Sequence, residues 1–278
     1  MEIEFKNVTL LKNQSCCNDT KVVQNLTFTL KEKNIYAFIG NSSSGKTSIC
    51  ELISFLEVPT KGYIRVGNYI NNGKWKKLNK LRFNVGYVYS RPSEMFFHKT
   101  VRKEIEFSLK NFKYSKNKIN SRIINSLKMV GLNEDYLDLD PFRLSLNEQK
   151  KLALACTLVY NPKVIIIDEA TTGLNNKEKK DLIRLLKILK NKYKKIVILM
   201  SKDTDFLYTF VDYVYILDKG NIVKAGKKDI LTNVKLLEKY RLKKPEIVKF
   251  VYEAKKRNIK INYHNNINDL IKEVYRNA

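Results

Sequence analysis

One stretch constrains the fold more than any other part of the chain: Gly40-Asn41-Ser42-Ser43-Ser44-Gly45-Lys46-Thr47. It follows an apolar run at residues 35–39, typical of a buried strand, and precedes residues 48–53, typical of the first turns of a helix. A glycine at each end lets the backbone wrap closely, so that successive N–H groups can point at one anion. The pattern predicts a loop that binds nucleotide phosphates, and a chance serine-rich turn is the alternative.

Four side chains in and after this loop have the chemistry for binding a nucleotide with a metal ion. Lys46 would contact the β- and γ-phosphates, and the Thr47 hydroxyl would be a ligand of Mg²⁺. A continuous β-branched run at residues 164–167 predicts a buried parallel strand that ends in Asp168 and Glu169. Asp168 would hold Mg²⁺ directly or through a water, and Glu169 would orient or polarise an attacking water. Two acids that merely end a strand and cap a helix are the alternative.

Composition narrows the class of protein. The 278 residues suffice for one large or two small domains, and 44% of them are hydrophobic. The net charge of +25 is compatible with nucleic-acid binding, with an anionic membrane surface, or with a lysine-rich bias along the whole chain, which we favour. No apolar run approaches the roughly 18 residues of a membrane span. The chain has four cysteines, which do not show the spacing of metal ligands: Cys16, Cys17, Cys50 and Cys156. We therefore predict that they are free thiols.

A second motif, Leu144-Ser145-Leu146-Asn147-Glu148, opens a predicted helix upstream of Asp168. Ser145 and Glu148 suit an N-cap and its capping box. With its motifs in this order, the chain resembles the ATP-binding cassette (ABC) ATPases. Their signature, Leu-Ser-Gly-Gly-Gln, opens a helix that binds the γ-phosphate held by the opposing subunit. The resemblance therefore implies a head-to-tail dimer with two ATP molecules sandwiched between the subunits.

Further segments narrow the resemblance to the ATPases of energy-coupling factor (ECF) transporters. Residues 85–97 with 100–101, residues 141–145, and the tail at 242–245 and 267–270 are similar to that branch, which also includes cobalt- or nickel-importer ATPases. The resemblance covers essentially the whole chain. It implies an α/β P-loop NTPase fold with a mostly parallel core sheet, an N-terminal antiparallel β part and a helical signature subdomain at about 90–160. An ATP-binding domain would span 1–228, and a small C-terminal helical domain 229–278.

Three departures from the family concern the site of this chain's own nucleotide. Ser90 stands where the family has a glutamine that touches Mg²⁺ and senses the transmembrane partner, and serine is too short to span that gap without a water. Lys202 replaces a switch histidine; a lysine meets the γ-phosphate as a point charge but cannot accept a hydrogen bond while ionised. Lys12 stands where an aromatic ring normally stacks on adenine, which lowers the expected nucleotide affinity.

Four more departures concern the surface that would complete the other subunit's site. Leu146 and Asn147 replace two glycines, and a side chain interferes most where backbone approaches phosphate closely. Glu148 adds a negative charge near another negative group, and Asn175 replaces an aspartate on the line that couples the two sites. We therefore expect the chain to bind Mg·ATP, to hydrolyse it slowly alone, and to need a different, intact partner chain for turnover.

The predicted site residues fall into three groups, with ATP and Mg²⁺ as the implied cofactors. Catalytic roles are assigned to Glu169 and Lys202. Magnesium contacts are assigned to Thr47, Asp168 and Ser90. Nucleotide contacts are assigned to Gly40, Asn41, Ser42, Ser43, Ser44, Gly45, Lys46, Thr47, Ser48, Ser145 and Asn147.

The expected function is that of an ATP-binding, ATP-hydrolysing subunit of an ECF-type importer for a vitamin or transition-metal ion. It would be one half of a heterodimer, peripheral at the cytoplasmic face of the membrane beside transmembrane subunits, which choose the substrate. Met95, Phe96 and Phe97 would form an apolar knob facing those subunits, with core packing as the alternative. The rivals are a nucleotide-binding clamp without turnover and a soluble ABC protein acting on ribosomes or nucleic acid. No nucleic-acid partner is expected, because the second cassette or coiled-coil insertion of such proteins is missing.

Overall fold

The protein is described by a computed structural model over residues 1–13, 19–71 and 83–277. Cys16 and Cys17 lie outside these residues. Cys50 and Cys156 are free, as predicted, and both are buried. Within the three described ranges no helix is long and apolar enough to cross a membrane.

The strands are, in chain order, β1 (Glu2–Asn13), β2 (Asp19–Lys31), β3 (Asn34–Ile39), β4 (Lys61–Val66), β5 (Tyr69–Asn71), β6 (Val85–Val88), β7 (Val164–Ile167), β8 (Ile196–Met200), β9 (Tyr213–Asp218) and β10 (Asn221–Lys227). The α-helices are α1 (Lys46–Ile53), α2 (Val101–Phe107), α3 (Lys116–Val130), α4 (Leu146–Leu158), α5 (Asn176–Asn191), α6 (Thr204–Tyr208), α7 (Val234–Lys239), α8 (Glu246–Lys256) and α9 (Ile267–Asn277).

Two sheets form the framework. The N-terminal sheet has the order β2-β1-β4-β5 with antiparallel pairing throughout, and the larger sheet has the order β10-β9-β3-β8-β7-β6. Among the described strands of the larger sheet, only β10 pairs antiparallel, with β9. Strands β7 and β8 are buried along their whole length, which explains their continuous apolar sequences.

The alternation of side chains along β3 shows how the layers are built. Tyr36 and Phe38 face a core shared with α1 and the antiparallel sheet, whereas Ile35, Ala37 and Ile39 face a core shared with the helices on the other side. The central sheet is therefore covered on both faces, as expected for parallel strands.

The order of the central strands gathers four sequence-predicted segments at one edge. Strands β3, β8, β7 and β6 are parallel neighbours, and their carboxyl ends lead into the phosphate loop, Lys202, Asp168 and Ser90, respectively. Ligands in open α/β sheets bind beyond such carboxyl ends. The fold thus assembles segments that are distant in sequence.

The helical arm between β6 and β7 corrects one expectation. Helical spacing from about Phe107 to Val130 predicts a helix over that range, but α2 ends at Phe107 and α3 starts only at Lys116. The intervening chain stacks Phe112 on Tyr114, with ring centroids 5.5 Å apart. This aromatic packing outweighs local helical preference.

The C-terminal helices pack both against one another and against the larger core. Val251, Ala254 and Leu270 belong to a small cluster of their own, whereas Leu237 and Val248 join the larger core under the central sheet. The division into domains at 228/229 remains a prediction.

Candidate nucleotide-binding site

The phosphate loop connects β3 to α1 and has a backbone that only glycine fits at its two ends. Gly45 has φ +96°, and a Cβ there would lie 2.6 Å from the carbonyl oxygen of Val22. A Cβ on Gly40 would lie 2.4 Å from the carbonyl oxygen of Leu217. Both contacts are with backbone, which cannot move away easily, so both glycines are sterically required.

Lys46 lies beneath the loop and is buried. Its Nζ donates to the carbonyl oxygens of Gly40, at 2.8 Å, and Asn41, at 2.7 Å, and to the Ser44 hydroxyl at 3.0 Å. Burial lowers the pKa of Lys46, and the nearby charge of Lys202 lowers it further. A bound anion would stabilise the charged form of this ammonium group.

Asp168 and Thr47 meet beside the loop. The backbone N–H of Asp168 donates to the carbonyl oxygen of Val88 at 2.9 Å, which holds the residue at the end of β7. The Thr47 hydroxyl donates to Asp168 Oδ2 at 3.3 Å. Burial raises the pKa of Asp168, and Glu169 raises it further. A cation at this carboxylate would offset both effects, because it favours the ionised form.

Glu169 adopts a left-handed backbone, with φ +51°. For a residue other than glycine, this conformation costs on the order of 1–3 kcal/mol and persists only where the surroundings hold it. The Thr172 hydroxyl donates to Glu169 Oε2 at 3.0 Å, and Lys150 Nζ donates to the Glu169 carbonyl oxygen, also at 3.0 Å. Both the side chain and the backbone of Glu169 are therefore held by neighbours.

A cleft of about 430 Å³ lies over these groups. The loop from Ser42 onward lines it together with Ser90, Asp168, Glu169 and Lys202, and residues 20–22 of β2 close one side. Lys202 Nζ reaches across to the Ser42 hydroxyl at 3.3 Å. The fold thus brings together the predicted catalytic residues, the predicted magnesium contacts and most of the predicted phosphate-loop residues.

Ser145 and Asn147 do not line this cleft, and their side chains have partners within the chain. The Glu148 N–H donates to Ser145 Oγ at 3.4 Å and the Ser145 N–H donates to Glu148 Oε2 at 2.9 Å, which forms the capping box at the start of α4 that the sequence predicts. The Ser145 hydroxyl also donates to Glu148 Oε2, at 2.7 Å. Tyr136 donates to the other oxygen of Glu148 at 2.6 Å. The hydrogen bonds from Ser145 and Tyr136 lower the pKa of Glu148. The signature position therefore carries an ionised carboxylate where the family has a glutamine.

The other signature departures also have structural partners. Leu146 is half exposed and packs against Gly173, where an added Cβ would lie 2.9 Å from Leu146 Cδ2. Asn147 donates to Glu178, and Asn175 forms a capping box with Glu178 at the start of α5. Leu146 and Asn147 thus place side chains with partners inside this chain at the two positions where the family has glycines.

Lys12 also has partners within the chain, in the form of two ion pairs. Its Nζ lies 2.7 Å from a carboxylate oxygen of Glu51 and 3.3 Å from one of Glu57. Burial lowers the pKa of Lys12, but the hydrogen bonds and charges of both glutamates raise it above its ordinary value. The position offers an ion pair in place of a flat ring for adenine.

Three residues of the site escape sequence reasoning. Tyr87 lies 3.5 Å from Asp168 Oδ2, Lys150 binds the Glu169 loop from α4, and Thr172 holds the Glu169 side chain. No local motif points to Tyr87 or Lys150, because their partners are distant in sequence. Thr172 follows Glu169 within one turn, so its proximity could have been predicted.

Comparison with known proteins shows where the chain belongs. The family model described as "ABC transporter" matches residues 23–172. The energy-coupling factor transporter ATP-binding protein EcfA2 of Streptococcus agalactiae serotype Ia is 35% identical over 253 residues, which is 90% of each chain. EcfA2 of Streptococcus pyogenes serotype M5 is 33% identical over 264 residues, 94% of each.

Solved structures agree with this assignment. CbiO1 from Clostridium perfringens, described as part of the ABC transporter complex cbiONQ, has a TM-score of 0.75 at 25% identity, covering 90% of this chain and 98% of its own. The dimeric cassette MJ0796 bound to ADP and Pi has a TM-score of 0.76 at 25% identity, covering 81% and 98%. The α/β P-loop NTPase fold predicted from the sequence is confirmed. The chain belongs to the ABC transporter ATPases, in the branch of the energy-coupling factor ATP-binding proteins.

Proposed function

We propose that this chain is the Mg·ATP-binding and ATP-hydrolysing subunit of an ECF-type importer for a vitamin or transition-metal ion. The observation that supports this most is the geometry around Lys46, a buried ammonium group enclosed by a glycine-bounded loop beside Thr47 and Asp168. A cation and a carboxylate placed in this way suit a triphosphate with its metal. Similarity to EcfA2 along nearly the whole chain supports the transport role.

The donor set fits Mg²⁺. Among the residues that the structure describes, no three His, Cys, Asp or Glu side chains converge on a possible metal position. Mg²⁺ characteristically uses one or two protein oxygens, with phosphates and waters as its other ligands. The Thr47 hydroxyl and the Asp168 carboxylate would supply those protein oxygens. Bound there, Mg²⁺ would neutralise charge on the β- and γ-phosphates.

The protein's own groups account for the remaining chemistry. Backbone N–H groups of the loop and Lys46 would bind the phosphates, and Lys202 would add positive charge from the end of β8. Glu169, held by Thr172, would accept a hydrogen bond from the attacking water and align it in line with the leaving group. ATP binding closes the dimer and hydrolysis opens it, and the difference in affinity between those forms does the mechanical work.

The attachment to membrane subunits is supported by an aromatic surface on the helical arm. Phe97 is 73% exposed, and its ring lies 6.3 Å from that of Phe107, which is also exposed. Phe96 is buried, so core packing is the better interpretation for that residue, and Met95 is half-buried against the same core. We assign the docking role to Phe97 and Phe107, at the cytoplasmic face of the membrane. CbiO1, similar in fold, is described as part of an ABC transporter complex.

A different second ATPase chain fits the signature surface best. The Ser145 hydroxyl already binds Glu148, and Leu146 occupies the place of a glycine, so this chain offers little to a nucleotide held opposite. An intact partner would complete the site of Lys46 and Glu169. A nucleotide clamp without turnover is the rival within the same complex.

The decisive experiment isolates the chain from detergent-solubilised membranes with its co-purifying proteins and compares it with the chain purified alone. We expect integral membrane proteins and a second ATPase chain in the complex, with ATP hydrolysis that falls when Lys46→Ala is introduced. The isolated chain should bind Mg·ATP but hydrolyse it slowly. A complex that binds nucleotide without any turnover would select the clamp. Rapid, Lys46-dependent hydrolysis by the isolated chain would refute the weakened site.

A further inference from the structure

Helix α4 reaches the loop after β7 with a charged side chain, Lys150. Lys150 lies in the first half of α4, where it is half-buried, and its Nζ donates to the carbonyl oxygen of Glu169 at 3.0 Å and to that of Thr172. Those two carbonyls bracket a single turn, so one ammonium group closes the turn from outside.

The turn needs such support. Glu169 has φ +51° and Gly173 has φ +76°, so the backbone is left-handed at two nearby points. The N–H of Thr172 donates to the Glu169 carbonyl oxygen over 3.3 Å, which is long for a backbone hydrogen bond. A full positive charge facing both carbonyls supplies the charge-assisted hydrogen bonds that the turn lacks internally.

The charge of Glu169 also acts on Lys150. Burial lowers the pKa of Lys150, while the negative charge of Glu169 raises it. Lys150 therefore interacts with the backbone of Glu169 through a hydrogen bond and with its charge through electrostatic attraction.

We propose that Lys150 is a positioning residue for Glu169, and that through it the start of α4 controls the alignment of this chain's catalytic carboxylate. The start of α4 carries Ser145 and Asn147, which would face the nucleotide of the other ATPase chain. A second bond, from Asn147 to Glu178, ties the same end of α4 to the start of α5. Movement at the other nucleotide would thus be transmitted to Glu169. This inference rests on the proposed function.

The test uses the complex purified with its partner subunits and Mg·ATP as the probe. Lys150→Met keeps the length of the side chain but removes the donor, and Lys150→Arg keeps donors. Lys151→Met, one residue further along α4, is the matched control. Glu169→Gln and the double variant Lys150→Met/Glu169→Gln complete a cycle.

We expect Lys150→Met to lower kcat by about tenfold to a hundredfold, because misplacement of a catalytic group by an ångström has effects of this size. The ATP dissociation constant should stay within about twofold, and Lys150→Arg should recover most of the rate. The double variant should be no slower than Glu169→Gln alone, since Lys150 acts through Glu169. Equal kcat in Lys150→Met and wild type, or losses that simply add in the double variant, would overturn the proposal.

Hydrogen exchange provides a readout that does not depend on turnover. The amide of Ala170 donates to Met200 and that of Thr172 to Glu169, and both should exchange faster in Lys150→Met but not in Lys151→Met. Unchanged exchange would also overturn the proposal. Absence of Lys46-dependent hydrolysis in the wild-type complex would instead count against the proposed function, and the exchange result would still decide the role of Lys150.

Discussion

The phosphate loop and the start of α4 would both meet nucleotide phosphate, yet their polar groups are occupied differently. Lys46 donates to two backbone carbonyls and one hydroxyl, which are neutral groups. Ser145 donates to Glu148, an ionised carboxylate that also receives a bond from Tyr136. The loop therefore presents an ammonium group whose hydrogen-bond acceptors are neutral, whereas the signature surface presents a carboxylate.

This contrast predicts different affinities for two nucleotides, the one held by this chain's phosphate loop and the one held by the partner chain. A phosphate would gain favourable interactions at Lys46, which donates to neutral carbonyl and hydroxyl oxygens, and at Lys202, which donates to the Ser42 hydroxyl. At α4, the same phosphate must compete with Glu148 for the Ser145 hydroxyl and approach a like charge. Under the proposed function, we therefore expect the chain to hold its own nucleotide more firmly than the partner chain's.

The largest expected effect comes from breaking the phosphate loop. In Gly45→Ala, the new Cβ would lie 2.6 Å from the Val22 carbonyl oxygen at a φ of +96°, so the loop must shift. We expect an ATP affinity at least ~10-fold lower, since a shift of loop N–H groups removes several phosphate bonds. Titration with a fluorescent ATP analogue measures this.

Gly131→Ala is the matched control for that variant. Gly131 also has a positive φ, +74°, but nothing lies within 4 Å of the position of its Cβ. This variant should lose about 1 kcal/mol of stability from backbone strain alone and keep its ATP affinity. Equal affinities of Gly45→Ala and wild type would show that the loop does not bind the nucleotide.

A smaller effect should come from removing an ion pair that holds the loop after β8, which carries Lys202. Lys179 and Asp203 are joined by an ion pair of 2.5 Å, which ties α5 to the loop of Lys202. Lys179→Met should reduce the free energy of unfolding by about 1–2 kcal/mol at pH 7, a typical value for a hydrogen bond to a charged group. Urea unfolding checks this, with exposed Lys180→Met as the control. An equal loss in both variants would show that the pair contributes nothing specific.

The same pair has a pH dependence of definite sign. Burial alone would raise the pKa of Asp203, but Lys179 and the N–H of Phe206 lower it below the ordinary aspartate value of 3.8. The stabilisation is therefore present above the unfolded pKa and is lost as pH falls through the lower, folded pKa. The stability difference between wild type and Lys179→Met should be constant from pH 5 to 8 and shrink below pH 3.8. A difference that grows on acidification would contradict this assignment.

Local patterns in the sequence were enough to predict the phosphate loop, the buried strand before Asp168 and the capping box at Ser145. Each depends on neighbours within a few residues, where glycine, β-branched residues and capping side chains have specific effects. The family resemblance supplied the architecture. The break between α2 and α3 was missed, because it is stabilised by aromatic stacking that helical spacing does not encode.

Contacts between distant elements were the part that could not be predicted. Lys150 and Glu169 are separated by 19 positions and lie on different elements, so their bond follows only from the packing of α4 against the central sheet. The bond from Tyr136 to Glu148 likewise depends on how the short helix at Glu134–Tyr136 folds back on α4. A charge at position 148 could be seen in the sequence, but its partners could not.

The smallest expected effect tests the signature half directly. Glu148→Gln restores the family's residue, keeps an oxygen for the capping box and removes the charge. Two like charges a few ångströms apart in partly solvated surroundings repel by about 1 kcal/mol, which corresponds to about fivefold in a binding or rate constant. We therefore expect the complex with Glu148→Gln to bind or hydrolyse ATP about fivefold better at the nucleotide site that the start of α4 completes. Glu134→Gln, on the surface of the same arm, is the control. If Glu148→Gln changes nothing while Leu146→Gly does, the obstruction at α4 is steric and not electrostatic. The two halves would then differ in shape more than in charge.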